Sequence, residues 1–381
     1  MSWDKVTLGD IASNIQTGPF GSQLHQSDYS LSGTPVVMPK DLSEGRISEI
    51  SIARVSDDHV NRLSRHKIEV GDILYSRRGD VGRCAYATET EKGWLCGTGC
   101  LRVTIDAEKA NAKFVFYQLQ KPDTVGWVEK HAIGSTMLNL NTSILSNVPV
   151  IFPSLETQER IAGILSAYDN LIENNQKQIR LLEEAARRLY KEWFVDFRFP
   201  GHESVPITDG VPQGWRKVSL TDLLEIKYGK AHQTLESGDI PAYGSGGLVR
   251  KVKPVLYSGE SVLIPRKGSL NNILYVCGDF WTIDTMFYSV PLVPNVAKFA
   301  HLFLSGLDMN SFNIGAAVPS MTVNILDGMR VLLPTENVLG EFERMVSPFF
   351  ERKTVLLQQI EAATEARNRL LPVLMNGGIL N

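Results

Sequence analysis

Two short runs place cationic side chains on glycine turns. Arg77 and Arg78 leave a strand-like run into Gly79 and are followed by Arg83, while much later Arg266, Lys267 and Ser269 surround Gly268. A third stretch, Tyr243-Gly244-Ser245-Gly246, reads as a tight loop leading to Arg250, Lys251 and Lys253. A guanidinium can pair with a guanine edge in the major groove, and Lys, Ser and backbone amides hold phosphates and set register. Such reading of DNA needs basic and polar groups on turns rather than one fixed constellation. For any single residue the alternative is a solvated turn whose glycine merely serves backbone geometry; recurrence of basic turns at equivalent points favours contact for the clusters.

Other chemistries find no support in the residues. Methyl transfer to an exocyclic amine requires a short acidic or amide residue followed by Pro-Pro and an aromatic, and no Pro-Pro pair occurs among the 381 residues. A nucleotide-hydrolysing loop closes on Gly-Lys-Ser/Thr, whereas Gly229-Lys230 is followed by Ala231. Cys96 and Cys100 flank Gly97 and Gly99 without a second Cys or His pair to complete a zinc site, so they read as small buried residues. His25, His59 and His66 lack an obvious nucleophile partner and read as ordinary surface or core side chains. The expectation is a chain with no catalytic centre, no metal and no cofactor of its own.

Composition bounds the class. With 43% hydrophobic and 21% charged residues the chain is an ordinary globular protein, long enough for two or three domains. A formal net charge of −3 argues against a uniformly basic coat, so contact with DNA must come from local patches or from partners. Four cysteines make no secretory framework, Met1 is followed by Ser2-Trp3-Asp4 rather than a basic and apolar leader, and no apolar run approaches the roughly 20 residues of a membrane span. A cytoplasmic location is expected.

The elements that must position the basic turns repeat. Trp3-Asp4-Lys5-Val6-Thr7-Leu8-Gly9-Asp10 recurs as Trp215-Arg216-Lys217-Val218-Ser219-Leu220-Thr221-Asp222, VGDILYSRRGDVG from Val70 is echoed by SGESVLIPRKGSL from Ser258, and ILSNVPVIFP ending at Pro153 by ILDGMRVLLP ending at Pro334. Three echoes in one order define two copies of a unit of short strands and turns, each followed by a long helix, the first copy enlarged by insertions. Steps of four and three from Ile161 pass through Leu165, Tyr168, Ile172, Asn175, Ile179, Leu182, Ala186, Leu189 and Trp193. The same walk from Phe342 gives Val346, Phe349, Lys353, Leu356, Ile360, Ala363, Arg367, Leu370 and Leu374, with a kink or restart expected at Pro348. This is coiled-coil spacing, with charged residues between the seam positions; two separate amphipathic helices, each on its own domain, are the alternative. The simplest closure is antiparallel, and it sets two globular units at opposite ends of a helical spacer, related by an approximate two-fold axis.

The chain resembles the specificity subunits of type I restriction–modification systems over essentially its whole length. The resemblance rests on TGPFGSQL (Thr17 to Leu24), GDILYSRRGDVGR (Gly71 to Arg83), ETQERIAGIL (Glu156 to Leu165), LYKEWFVDFRFPG (Leu189 to Gly201), PAYGSGGLV (Pro241 to Val249) and VLIPRKGS (Val262 to Ser269). One departure is ENVLGEFERM (Glu336 to Met345), which lacks the Gln158-Glu159 pair of the first copy. The resemblance implies an α+β fold with two tandem target-recognition domains, residues 1–153 and 215–335, and helical spacers at 154–198 and 336–377 joined through a linker at 199–214. It further implies one half of a split, asymmetric duplex-DNA target per domain, and two modification (methyltransferase) subunits docked on the helices, joined by restriction subunits. Those partners would bring S-adenosylmethionine, ATP and Mg. An adaptor joining two protein-binding heads without touching DNA is the competing function.

Overall fold

The computed structural model describes residues 3–134, 137–315 and 317–377. The chain forms two compact units, Met1–Glu173 together with Ile360–Asn381, and Asn174–Gln359. The chain therefore passes between them inside each of its two long helices, Leu155–Phe194 and Glu336–Met375.

Each unit is closed by pairing the strand that opens its repeat with its last. Asp4–Thr7 runs antiparallel to Pro149–Phe152 in the first unit, and Arg216–Ser219 to Arg330–Leu333 in the second. The first and third sequence echoes are thus the two halves of one ribbon. Each opening strand turns into a one-turn helix whose Asp10 or Asp222 carboxylate accepts the backbone N–H of Thr7 or Ser219, 2.8 Å in both cases. A cap of this kind is worth about 1 kcal/mol.

Inside the ribbon lies a sheet whose core order is the same in both units. The first has Ala12–Thr17, Cys100–Ile105, Ile73–Ser76 and Cys84–Tyr86 in that order, all antiparallel. The second has Leu224–Tyr228, Met286–Pro291 and Tyr257–Pro265 in the matching places, extended by Leu274–Thr282, Ile240–Gly244 and Gly247–Val252. The insertion expected in the first copy is a separate four-stranded sheet, ordered Leu95–Cys96, Thr34–Val37, Ala53–Val55 and Tyr29–Ser30. Residues 199–214, read as a linker, contain the short hairpin Ile207–Thr208/Val211–Pro212, and Phe199 is buried with its ring 5.1 Å from Trp215.

Both helices span 40 residues, and every seam position is buried or half-buried. The kink or restart expected at Pro348 does not interrupt the second helix, which is assigned as helix straight through that residue. In the second unit the helices run antiparallel: Asn175 Nδ2 donates to Gln359 Oε1 (3.0 Å), Lys353 pairs with Glu183 (2.7 Å), and Phe342 meets Trp193 and Phe194. In the first unit Arg367 pairs with Asp169 (2.8 Å). The two charged seam positions therefore each meet an acid of the facing helix. Helix and sheet also share one core in each unit. Trp193, Phe194, Phe342 and Val346 pack with Val262, Ile264 and Phe287 in the second, and Ile161, Leu165, Leu374 and Met375 with Leu101, Val103 and Phe114 in the first. Such sharing explains why each unit takes half of the helix pair.

The missing Gln158-Glu159 pair has a local consequence. Gln158 is fully buried, its Oε1 accepting the N–H of Asn111 at the start of Ala112–Leu119 and its Nε2 donating to Pro153 O. Five residues past the matching proline, Leu339 is buried instead, so an apolar contact replaces the hydrogen bonds in the second copy.

Candidate nucleic-acid interface

In the first unit the basic turn follows Ile73–Ser76, a strand buried along its whole length. Arg77 is fixed by its backbone, its N–H donating to Gly99 O (2.9 Å) and its carbonyl accepting from Leu140 N (2.8 Å). Its guanidinium carbon lies 6.0 Å from the ring centre of Phe20, a half-exposed side chain, and its Nε is buried without a hydrogen-bond partner. Arg78 is exposed and bridges Asn139 through the backbone, while Gly79 takes φ +75°, which a residue with a side chain adopts only with strain. The Arg83 guanidinium is forked on Asp80 at 2.7 and 3.1 Å.

The second unit builds the same device. Arg266 N donates to Thr285 O (2.8 Å), its carbonyl accepts from Met321 N (2.9 Å), and its guanidinium carbon lies 5.4 Å from the ring centre of Tyr228, again a half-exposed aromatic. Its Nη1 also donates to Asp284 O (3.1 Å). Lys267 is exposed and bridges Ser320 through the backbone, and Gly268 has φ +89°. The loop at Ser245 is brought against this turn: Asn272 Nδ2 donates to Ser245 O (2.8 Å), and a Cβ on Gly268 would sit 3.0 Å from Ser245 Oγ. Ser269 is exposed beside them.

The remaining basic and aromatic residues singled out in the sequence lie on or beside the strands Ile240–Gly244 and Gly247–Val252. Arg250 donates to Leu235 O (2.9 Å) and Ser237 Oγ (3.3 Å), and Lys253 pairs with Glu236 (3.0 Å), so both fasten the segment before their strand. Tyr243 packs half-buried against a small apolar core with Leu263, Phe280 and Tyr288. Lys251 is exposed on the strand Gly247–Val252. Cys96 and Cys100 are buried in one apolar cluster, and burial pushes the Cys96 thiol up to about 12, far from a reactive thiolate.

Two features escaped the sequence reading. The aromatic partners Phe20 and Tyr228 are distant in sequence from their arginines and meet them only through strand pairing. The loops that clamp each arginine also repeat, as Ile133-Gly134 six residues before Asn139-Leu140 and Ile314-Gly315 six before Ser320-Met321. That echo was available to the same self-comparison that found the other three.

Residues 1–184 match the model of the type I restriction modification DNA specificity domain. Over nearly its whole length the chain is similar to type I restriction enzyme specificity subunits. It is 25% identical over 407 residues to the type I restriction enzyme MjaIX specificity subunit of Methanocaldococcus jannaschii, covering 98% of this chain and 93% of that one. Identity to the HindI specificity subunit of Haemophilus influenzae is 20%, over 99% of each chain. The fold is similar to that of the type I restriction–modification S subunit from M. genitalium, with a TM-score of 0.66 at 17% identity, covering 98% of this chain and 96% of the other.

Proposed function

We propose that this chain is a type I restriction–modification specificity subunit that reads a split, asymmetric duplex-DNA target, one half with each unit, and carries two modification subunits on its paired helices. The observation that supports it is the recurrence of one device, an arginine over a half-exposed aromatic ring at the end of the same sheet strand, in two units whose surrounding loops differ. Recognition domains at 1–153 and 215–335, spacers at 154–198 and 336–377 and a connection at 199–214 are the division that fits this reading. Arg77 and Arg266 are assigned to base edges, and Arg78, Lys267, Ser269, Ser245 and Lys251 to phosphates. Arg83, Arg250, Lys253 and Tyr243 support the turns. Methyl transfer and cleavage, with S-adenosylmethionine, ATP and Mg, belong to the modification and restriction partners.

The test is a mobility shift of the chain assembled with its modification subunits. Duplex DNA should bind with a steep salt dependence, and Arg78→Ala or Lys267→Ala should flatten the slope of log K against log salt by about one. Binding that is absent or independent of salt would return the chain to the adaptor reading.

A further inference from the structure

Each arginine turn is bonded to a segment that carries exposed apolar side chains. In the first unit Gly79 N donates to Leu138 O (3.1 Å) and Leu140 N to Arg77 O (2.8 Å), while Ile133 and Asn139 exchange backbone hydrogen bonds of 3.0 and 2.8 Å. In the second, Gly268 N donates to Pro319 O (2.8 Å) and Met321 N to Arg266 O (2.9 Å), and Asn313 Oδ1 accepts from both Gly315 N and Ser320 N at 2.8 Å. The glycines are required by close approach: a Cβ on Gly134 would lie 2.3 Å from Met137 O, and one on Gly315 1.9 Å from Val318 O. The described residues on both sides are therefore closely held and fixed to the basic turn. What they hold out is apolar. Ile133 and Met137 are 62% and 63% exposed, Ile314 and Val318 62% and 54%.

Large apolar side chains gain nothing by facing water at equivalent points of two units whose other loops differ. We infer that these loops are a second DNA-contact element, laying Ile133 and Met137, and Ile314 and Val318, on the apolar wall of the groove beside the base edge that the arginine reads. Duplex DNA is the occupant that fits, because each loop shares backbone hydrogen bonds with a turn carrying Arg78 or Lys267, and a ligand drawn to that charge lies beside the segment that carries these apolar side chains. Thymine methyl groups and deoxyribose offer the matching apolar surface. This inference rests on the DNA-reading proposal above.

The two can fail separately in one experiment. The full chain, assembled with its modification subunits, is titrated against a fluorescein-labelled random-sequence duplex between about 50 and 200 mM salt. Ile133→Ser with Met137→Ser, or Ile314→Ser with Val318→Ser, should weaken binding roughly five- to tenfold at every salt concentration without changing the salt slope, because apolar contact releases no counterions. Ile133→Val with Met137→Leu should restore it. Native affinity in both serine variants overturns the inference, as does a flattened slope. Intact DNA affinity with loss of modification subunits from the purified assembly would make the loops a protein-docking element instead and also overturn it. Absence of salt-dependent binding by the native assembly would sink the DNA-reading proposal itself. Because all four side chains are exposed, unchanged melting temperatures should accompany the serine variants.

Discussion

Arg77 and Arg266 hold their guanidinium groups against aromatic rings, which limits their rotamers and is itself worth about 0.5–1 kcal/mol at an exposed site. Arg266→Ala should cost about 1–3 kcal/mol on the specific duplex and relax selection at one position, measured by comparing Kd on matched and mismatched sites. Arg250→Ala should leave that selection intact and loosen the 235–237 segment, since its donors are satisfied by Leu235 O and Ser237 Oγ. Protons act at two buried imidazoles. Burial, with Lys353 and Arg187 nearby, lowers His301 to about 3, and burial with the Arg65 and Arg102 guanidiniums lowers His66 to about 4. In the unfolded chain both titrate near 6.5, so between pH 6.5 and those values the unfolded state binds more protons and stability falls as pH falls. Denaturant unfolding at pH 7 and pH 4 should show a loss of about 1–3 kcal/mol from each imidazole. His301→Gln should remove its share, and an unchanged difference between the two pH values would show that this imidazole is not held neutral.

The seam of each long helix was legible because a period of seven needs only one strand of sequence to be seen. Its exceptions were not. Lys353 and Arg367 look like faults in an apolar stripe until Glu183 and Asp169 are seen opposite them, and that pairing depends on the register of the facing helix. The strand before each basic turn could be read from the echoes, yet the pairing of the first and third echoes in one ribbon and the contact between Phe20 and Arg77 could not, the latter because the strands leading to them, Ala12–Thr17 and Ile73–Ser76, are brought together only by Cys100–Ile105 lying between them in the sheet. Asn175 is the polar seam position with a buried side chain, and its partner Gln359 is exposed and able to turn to water. Asn175→Leu should therefore leave stability unchanged or raise it by about 1 kcal/mol, whereas Asn175→Asp, which buries a charge, should lower it by a few. Thermal unfolding of the two variants decides it, and a marked loss with Leu would mean that the amide holds more than Gln359.

At the scale of the whole molecule, exchange of recognition specificity has a boundary that the tandem order of the repeats conceals. The first unit includes the end of the second helix: Gln118 Nε2 lies 3.2 Å from Met375 Sδ and Lys121 Nζ donates to Asn376 Oδ1 (3.2 Å), while Tyr117 Oη donates to Asp169 of the first helix (2.5 Å). Replacing residues 1–153 alone by those of a relative leaves a foreign head against native helix ends and should lower the melting temperature by several degrees. Exchanging 1–173 and 360–377 together should restore it and change one half of the methylated target, as read by modified-base sequencing of cells; a change in both halves would count against independent heads. The same arrangement has a meaning on the ribosome. Residues 1–173 emerge first, but Leu374 and Met375, both buried in that unit's core, emerge near the end. At roughly 5–20 residues per second the opening unit waits on the order of ten to forty seconds for its closing segment, with Ile161 and Leu165 short of a neighbour. The second unit, 174–359, has all its parts as soon as its own last residue is made. The part translated first is thus the part completed last, and a chain that stops before residue 360 leaves an open core for proteases to find.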